Sequence, residues 1–124
     1  MMKPADLPIK SMSAVKARDR EGWLALFEDN AVVEDPVGGH EMWDKEGTGQ
    51  QGKEAIGRFY DMFSSSQSAM DFEVHHMAAC GNEAACFVTM KFTMNDGTVN
   101  ENKLINIYKM SPNGKVASLR SFWN

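Results

Sequence analysis

Hydrophobic residues recur with two different spacings along the chain, and the change of spacing divides it in two. Up to about residue 68 the apolar positions fall three or four residues apart, and from Asp71 onward they fall at every second residue. Helices followed by a curled antiparallel sheet make an α+β fold, in which the helices cover one face of the sheet. We therefore predict one domain over residues 1–124, with a concave pocket between the two layers.

Three helices are predicted in the first half. The first follows Pro8, and the second can be capped by Asp19 and would include Phe27. The third has the clearest pattern, an apolar stripe at positions i, i+3, i+4 and i+7 formed by Ile56, Phe59, Tyr60 and Phe63. A serine-rich segment, residues 64–68, ends it.

The strands are predicted from alternation and from turn signals. A short strand spans 31–35, and the glycine-rich residues 36–52 have no period and are predicted to be loop. Turn sequences at 81–82, 95–97 and 111–114 then separate four strands of an antiparallel meander. Cys80 and Cys86 flank the first of these turns but do not fall opposite each other, so we expect two free thiols.

Charge and hydropathy exclude several partners. Thirteen basic and seventeen acidic residues give a net charge of -4, and no basic stripe is present that could neutralise phosphates, so we expect no nucleic acid partner. The longest apolar run, residues 84–88, is far too short to cross a bilayer. We expect no membrane association and a cytoplasmic location.

The motifs that suggest cofactors or metals lack their structural context. GTGQQGK, residues 47–53, satisfies GxGxxG, but no buried strand precedes it and Glu54 stands where a P-loop needs Ser or Thr. His75 and His76 are adjacent on a strand and point to opposite faces, so they cannot share one metal. We predict neither a metal site nor a cofactor.

Two polar residues stand out at positions where apolar residues would be expected. Asp35 ends the strand 31–35 on the face of Ala31 and Val33, and Pro36 biases its backbone to an extended shape. Asn106 shares a strand face with large apolar neighbours, where an unbonded amide costs about 1 to 3 kcal/mol. Each is either a structural residue, bonded to nearby backbone, or a residue that faces a ligand.

Three segments carry a resemblance to a known family. LFEDNAVVEDPVG (26–38), GKEAIGRFYDMF (52–63) and LINIYKMSPNGKVASLRSFW (104–123) resemble the ketosteroid isomerases of the NTF2-like, SnoaL-like superfamily. The resemblance implies a cone of three N-terminal helices packed on a curved antiparallel sheet, and a homodimer formed through the sheet. It also implies an isomerase that shifts a double bond in 3-oxo steroids without a cofactor.

The resemblance also implies roles for individual residues. Asp35 falls on the base that moves a proton between two substrate carbons, and Asn106 falls on an aspartate that donates to the dienolate oxygen when protonated. Ser11 replaces a tyrosine that is the second donor, and its hydroxyl is shorter than a phenol. Tyr60 matches a tyrosine that supports this donor and could itself donate, while Phe27 replaces a third tyrosine.

We therefore expect an isomerase-like enzyme that abstracts a proton next to the ketone of a small, flat, apolar ligand, a steroid or polyketide fragment. The residues expected to bind the ligand are Ser11, Phe27, Trp43, Phe59, Met90, Tyr108 and Trp123. Trp43 lies on the long loop after Asp35 and could act as a lid. The alternatives are a ligand-binding or dimerisation module without activity, and a polyketide cyclase or epoxide hydrolase, for which Asp35 with Arg120 is the candidate pair.

Overall fold

The computed structural model describes residues 1–124. The chain forms three helices and one sheet of six strands. Two helices come before the first strand, and the third lies between the second and third strands. The helices are α1 Asp6–Lys16, α2 Arg20–Leu24 and α3 Lys53–Ser65. The strands are β1 Phe27–Glu34, β2 Gln50–Gln51, β3 Gln67–Cys80, β4 Glu83–Met94, β5 Val99–Met110 and β6 Val116–Trp123. The α+β class expected from the two spacings is confirmed.

The sheet has the strand order β2-β1-β6-β5-β4-β3. Strands β3 to β6 form the expected antiparallel meander. The sheet as a whole is mixed, however, because β1 runs parallel to β6 and antiparallel to the short β2. The antiparallel arrangement expected from the sequence holds for the meander, and this edge is parallel because β6 returns alongside a strand that lies 86 residues earlier at the pair Val33 and Leu119.

Two helix boundaries differ from the sequence prediction in an informative way. Helix α1 begins at Asp6, before Pro8 rather than after it, since proline is tolerated in the first turn where its missing N–H has no partner in any case. Helix α2 is capped as expected, with the Asp19 side chain accepting a 2.9 Å hydrogen bond from the backbone N–H of Gly22. It ends at Leu24, so Phe27 belongs to β1 instead.

The core lies between the helices and the concave face of the sheet. Its centre is aromatic: the Trp23 ring packs edge-on against Phe27 at 4.7 Å and lies 5.5 Å from Tyr60. The α3 stripe supplies Ile56, which is fully buried, and Phe59. Helix, strand and amphipathic stripe therefore meet in one cluster.

The segment after β1 is more ordered than the loop predicted for residues 36–52. His40 and Asp44 exchange two backbone hydrogen bonds of 2.9 and 2.8 Å, and the Asp44 carboxylate accepts from the N–H of Gly49. Residues 50–51 then pair with β1 as strand β2. The chain is thereby folded back so that the indole N–H of Trp43 donates a hydrogen bond to the backbone carbonyl of Asp35.

The cysteines are both free, as predicted. In the β3–β4 register Cys86 lies opposite Met77 and Cys80 lies opposite Glu83. No helix is long and apolar enough to span a membrane.

Candidate active site

A cavity of about 420 Å³ opens between the helices and the concave face of the sheet. Of its 23 lining residues, 16 are hydrophobic, and examples from the helices and strands are Met12, Phe59, Met90, Phe92 and Leu104. A volume of this size is in the range of small-molecule pockets. The few polar side chains that line it therefore decide what chemistry it can support.

Asp35 lies where β1 ends, and it is the only carboxylate that lines the cavity. Its Oδ1 accepts a 2.7 Å hydrogen bond from the indole N–H of Trp123, and its backbone carbonyl accepts a 2.7 Å hydrogen bond from the indole N–H of Trp43. The two indoles hold both the side chain and the backbone of the residue. The carboxylate therefore has one preferred orientation.

The surroundings of Asp35 change its acidity. Burial beside the apolar wall raises the pKa of the Asp35 carboxyl above its ordinary value, since desolvation disfavours the charged form. The hydrogen bond from Trp123 and the nearby Ser121 hydroxyl act in the opposite direction, because they stabilise the charged form. The net result is a carboxylate with a raised pKa, which makes it a better proton acceptor near neutral pH.

Asn106 lines the cavity from the middle of β5 and is 9% exposed. The strand register places Cys86 on one side and Ser121 on the other. Neither neighbour is bonded to the Asn106 amide, and no other side chain in the structure is. The structure thus brings Asp35 and Asn106 to the same cavity and leaves the amide N–H groups of Asn106 available to a ligand.

Ser11 is the meeting point of a buried hydrogen-bond cluster. The indole N–H of Trp23 and the phenol of Tyr108 both lie 2.9 Å from Ser11 Oγ. All three residues line the cavity, and Ser11 and Tyr108 are 3% and 2% exposed. Burial raises the pKa of the Tyr108 phenol well above its ordinary value, so the phenol stays protonated and acts only as a hydrogen-bond donor or acceptor.

Two candidate residues do not line the cavity. Tyr60 is 4% exposed and packs in the core, with its ring 5.5 Å from Trp23 and 5.0 Å from Phe63. Phe27 is completely buried behind Trp23. The structure therefore does not place either residue where it could touch a ligand. The family resemblance suggested Tyr60 as a donor, and the spacing of the α3 stripe does not distinguish core from cavity.

The other expected ligand contacts line the cavity. Phe59, Met90 and Trp123 lie on its wall, and Trp43 lines it from the long loop. The Trp43 ring lies 6.0 Å from that of Trp123, and His40 stacks on its outer face at 3.5 Å. The aromatic edge beside Asp35 is therefore built from two separate segments of chain.

The cationic residues are outside the cavity. No Arg, Lys or His lines it. Arg120 donates to Glu34 at 3.2 Å on the other side of the sheet and lies over the Phe122 ring. No group of three or more His, Cys, Asp or Glu side chains could hold a metal ion.

One lining residue that was not singled out from the sequence is Ser121. It is 2% exposed, and it shares a face of β6 with Leu119 and Trp123, all three of which line the cavity. The alternation along residues 119–123 would have identified this face. The hydrogen bond from Trp123 to Asp35 has no such local signal, because it depends on the parallel pairing of β1 with β6.

Comparison with known proteins agrees with this architecture. The SnoaL-like domain family matches residues 10–119. A Delta 5-3-ketosteroid isomerase from Mycobacterium sp. superimposes with a TM-score of 0.90 at 29% identity, over 100% of this chain and 95% of that one. RV0760c from Mycobacterium tuberculosis, in complex with estradiol-17beta-hemisuccinate, superimposes with a TM-score of 0.88 at 28% identity, over 100% of this chain and 95% of that one. A computationally designed 17-OHP binder has a TM-score of 0.90 at 26% identity, over the same shares of the two chains.

Proposed function

The chain belongs to the SnoaL-like domain family, and on that basis we propose that it is a ketosteroid-isomerase-like enzyme, which abstracts a proton next to the ketone of a flat, apolar ligand. The observation that carries the proposal is the isolation of Asp35. It is the one carboxylate in a mostly apolar cavity, and it is oriented by an indole hydrogen bond.

Asp35 is proposed as the general base. Carbon acids next to a ketone are weak, so the base must be oriented toward the carbon and must not be stabilised too strongly as an anion. Burial raises the pKa of the Asp35 carboxyl and so increases its proton affinity, while the Trp123 indole fixes its direction. The protonated carboxyl can then return the proton to a different carbon of the same ligand.

Asn106 is proposed to stabilise the enolate. Removing the proton transfers negative charge to the ketone oxygen, and donors already aimed at that oxygen lower the barrier. The Asn106 amide can donate without any change of protonation, unlike the aspartate that stands at this position in the ketosteroid isomerases. Because the side-chain amide of Asn106 makes no hydrogen bond within the chain, its N–H groups are available to the ligand oxygen.

The apolar wall indicates the kind of ligand. Phe59, Met90 and Phe92 offer flat or flexible apolar surface and no charge that could bind a phosphate or a carboxylate. Proteins similar to this chain are a ketosteroid isomerase, a protein solved with an estradiol derivative and a designed 17-OHP binder. We therefore propose a steroid or a polyketide fragment of similar shape as the ligand class, and no cofactor.

The test is turnover of a 3-oxo-Δ5-steroid, followed by the ultraviolet absorbance of the conjugated product. We expect activity in the wild type and its loss in Asp35→Asn, which keeps the shape and the Trp123 hydrogen bond but removes the base. Glu34→Gln is the matched control, because this neighbouring carboxylate is bonded to Arg120 outside the cavity and the variant should stay active. Equal turnover in wild type and Asp35→Asn would refute the assignment.

The second candidate is a ligand-binding module without catalysis. The observation that favours it is Ser11, which stands where the ketosteroid isomerases have a catalytic tyrosine. Tight steroid binding in both the wild type and Asp35→Asn, with turnover in neither, would establish this alternative. A hydrolase that pairs Asp35 with Arg120 has less support, because Arg120 is bonded to Glu34.

A homodimer formed through the outer face of the sheet is proposed as well. Phe87, Ile105 and Phe122 lie side by side across β4, β5 and β6 and are 40%, 45% and 37% exposed. An apolar row of this kind is self-complementary, so a second copy of the chain could cover it about a two-fold axis. The cytoplasmic location expected from the sequence stays a prediction.

A further inference from the structure

The cluster of Ser11, Tyr108 and Trp23 contains one more hydroxyl proton than it has acceptors within the chain. Trp23 Nε1 is only a donor, and its partner is Ser11 Oγ at 2.9 Å. Ser11 and Tyr108 each carry one proton, but only one of the two can lie in the 2.9 Å contact between their oxygens. Neither hydroxyl contacts any other acceptor in the chain, so one proton is always left over, whichever way the contact is oriented.

The O–H group that carries the surplus proton can point only into the cavity. Ser11 and Tyr108 both line it and are almost fully buried, so bulk water is not the acceptor. Tyr108 is two residues from Asn106 on the inward face of β5, about 7 Å at the rise of a strand. Tyr108, which holds Ser11 at 2.9 Å, and Asn106 are therefore neighbours on the same wall of the cavity.

We propose that Ser11 and Tyr108 act together as the second hydrogen-bond donor to the ligand oxygen, beside Asn106. The ketosteroid isomerases carry a tyrosine at the position of Ser11. In this chain the phenol comes from Tyr108 on β5, and the short side chain of Ser11 leaves room for it. The identity of the ligand oxygen as a ketone or enolate rests on the proposed function. The assignment of the donor does not, because it follows from the proton count.

Trp23 explains why the pair is a good donor. When Ser11 Oγ accepts hydrogen bonds from both Trp23 and Tyr108, its own O–H is polarised, because successive hydrogen bonds strengthen one another in a medium of low dielectric constant. The raised pKa of Tyr108 keeps the phenol protonated, so the pair does not lose its proton to Asp35. It donates a hydrogen bond and does not serve as a base.

Binding of 2-naphthol tests the inference without any turnover. Its ionised form is a flat anion with the charge on oxygen, like an enolate, and naphthalene has the same shape without the oxygen. We expect the wild type to bind naphtholate more tightly than naphthalene and to shift bound naphthol toward its ionised form, as seen by absorbance. The double variant Ser11→Ala/Tyr108→Phe should lose roughly 10-fold to 100-fold of the naphtholate affinity, the effect of one hydrogen bond to a charged group, while naphthalene affinity is unchanged.

The single variants and a control complete the experiment. Ser11→Ala and Tyr108→Phe should each lose less than the double variant, since the remaining hydroxyl can turn its proton toward the ligand. Tyr60→Phe removes a phenol that does not line the cavity and should bind naphtholate like the wild type. Naphtholate affinity unchanged in the double variant, or lost in Tyr60→Phe, would overturn the inference.

The experiment also separates this inference from the proposed function. If the wild type has no isomerase activity but the double variant loses naphtholate affinity, the donor pair is correct and the enzymatic assignment fails. If Asp35→Asn abolishes turnover while the double variant binds naphtholate normally, the base is correct and the donor pair is refuted. Unchanged naphthalene binding shows in every case that the variants have kept the fold of the cavity.

Discussion

The indole N–H of Trp123 lies 2.7 Å from Oδ1 of Asp35 and joins the end of β6 to the end of β1. The two residues are 88 positions apart in sequence, and the parallel pairing of Glu34 with Arg120 brings their strands together. A hydrogen bond to a carboxylate is among the stronger interactions in a protein. It therefore fixes the direction of the Asp35 carboxylate and offsets part of the rise in pKa that burial causes.

The first prediction concerns the pH dependence of turnover. Because burial raises the pKa of Asp35 and the base must be deprotonated, kcat/KM should rise with pH through a midpoint above about 3.9, the value of a free aspartate. Trp123→Phe keeps an aromatic ring but removes the bond that lowers this pKa, so the midpoint should move to still higher pH. A midpoint that moves down, or does not move, contradicts the role given to the indole.

The second prediction concerns stability. A carboxyl whose pKa is higher in the folded than in the unfolded protein weakens the fold as pH rises from its unfolded pKa through its folded pKa. Asp35→Asn should therefore be more stable than the wild type at neutral pH, by about 1.4 kcal/mol per unit of pKa difference. Urea denaturation at several pH values measures this.

The sign of the pH effect is the control for that prediction. The advantage of Asp35→Asn should shrink as the pH falls and should vanish below about 3.9, where the wild-type carboxyl is protonated in both states. A variant that is less stable at neutral pH, or whose advantage does not change with pH, would show that burial does not disfavour the charged form of Asp35.

The third prediction concerns Asn106. Asn106→Leu removes the donor but keeps the volume, and we expect kcat to fall by about 100-fold to 1,000-fold, as for other donors to a developing oxyanion. Asn106→Asp should retain activity only at pH values low enough to keep the new carboxyl protonated, because only the acid form can donate. Full activity in Asn106→Leu would remove Asn106 from the mechanism.

The fourth prediction concerns association through the outer face of the sheet. Ile105→Glu places a charge in the middle of the apolar row and should convert a dimer into a monomer in sedimentation velocity, without loss of the fold. Val99→Glu is the matched control: Val99 is 55% exposed, lies on the same face of β5 and is six residues from the row. Equal association states for the two variants would contradict the proposed interface.

The sequence was sufficient for those features that depend on local spacing. Alternation along β5 placed Asn106 and Tyr108 on one inward face, and the VEDPVG segment placed Asp35 at the end of a strand. Both residues line the cavity. The cap of α2 by Asp19 was likewise visible, since capping depends on residues three positions apart.

Features that depend on distant pairing could not be predicted in this way. The contact between Tyr108 and Ser11 joins residues 97 positions apart, and the Trp123 bond to Asp35 requires the parallel β1–β6 edge. The helical stripe of α3 gave Phe59 and Tyr60 equal weight, but only Phe59 lines the cavity. Period alone identifies a buried face, and the curvature of the sheet decides which buried residues border empty space.

The central claim is that Asp35 and Asn106 contact neighbouring atoms of one ligand. A crystal structure of Asp35→Asn with a bound 3-oxo-steroid tests this claim most directly. We expect the ketone oxygen about 2.9 Å from the Asn106 amide nitrogen, with the side chain at position 35 facing a carbon next to that ketone. A steroid bound with its ketone at the open end, and with residue 35 directed to water, would contradict the account.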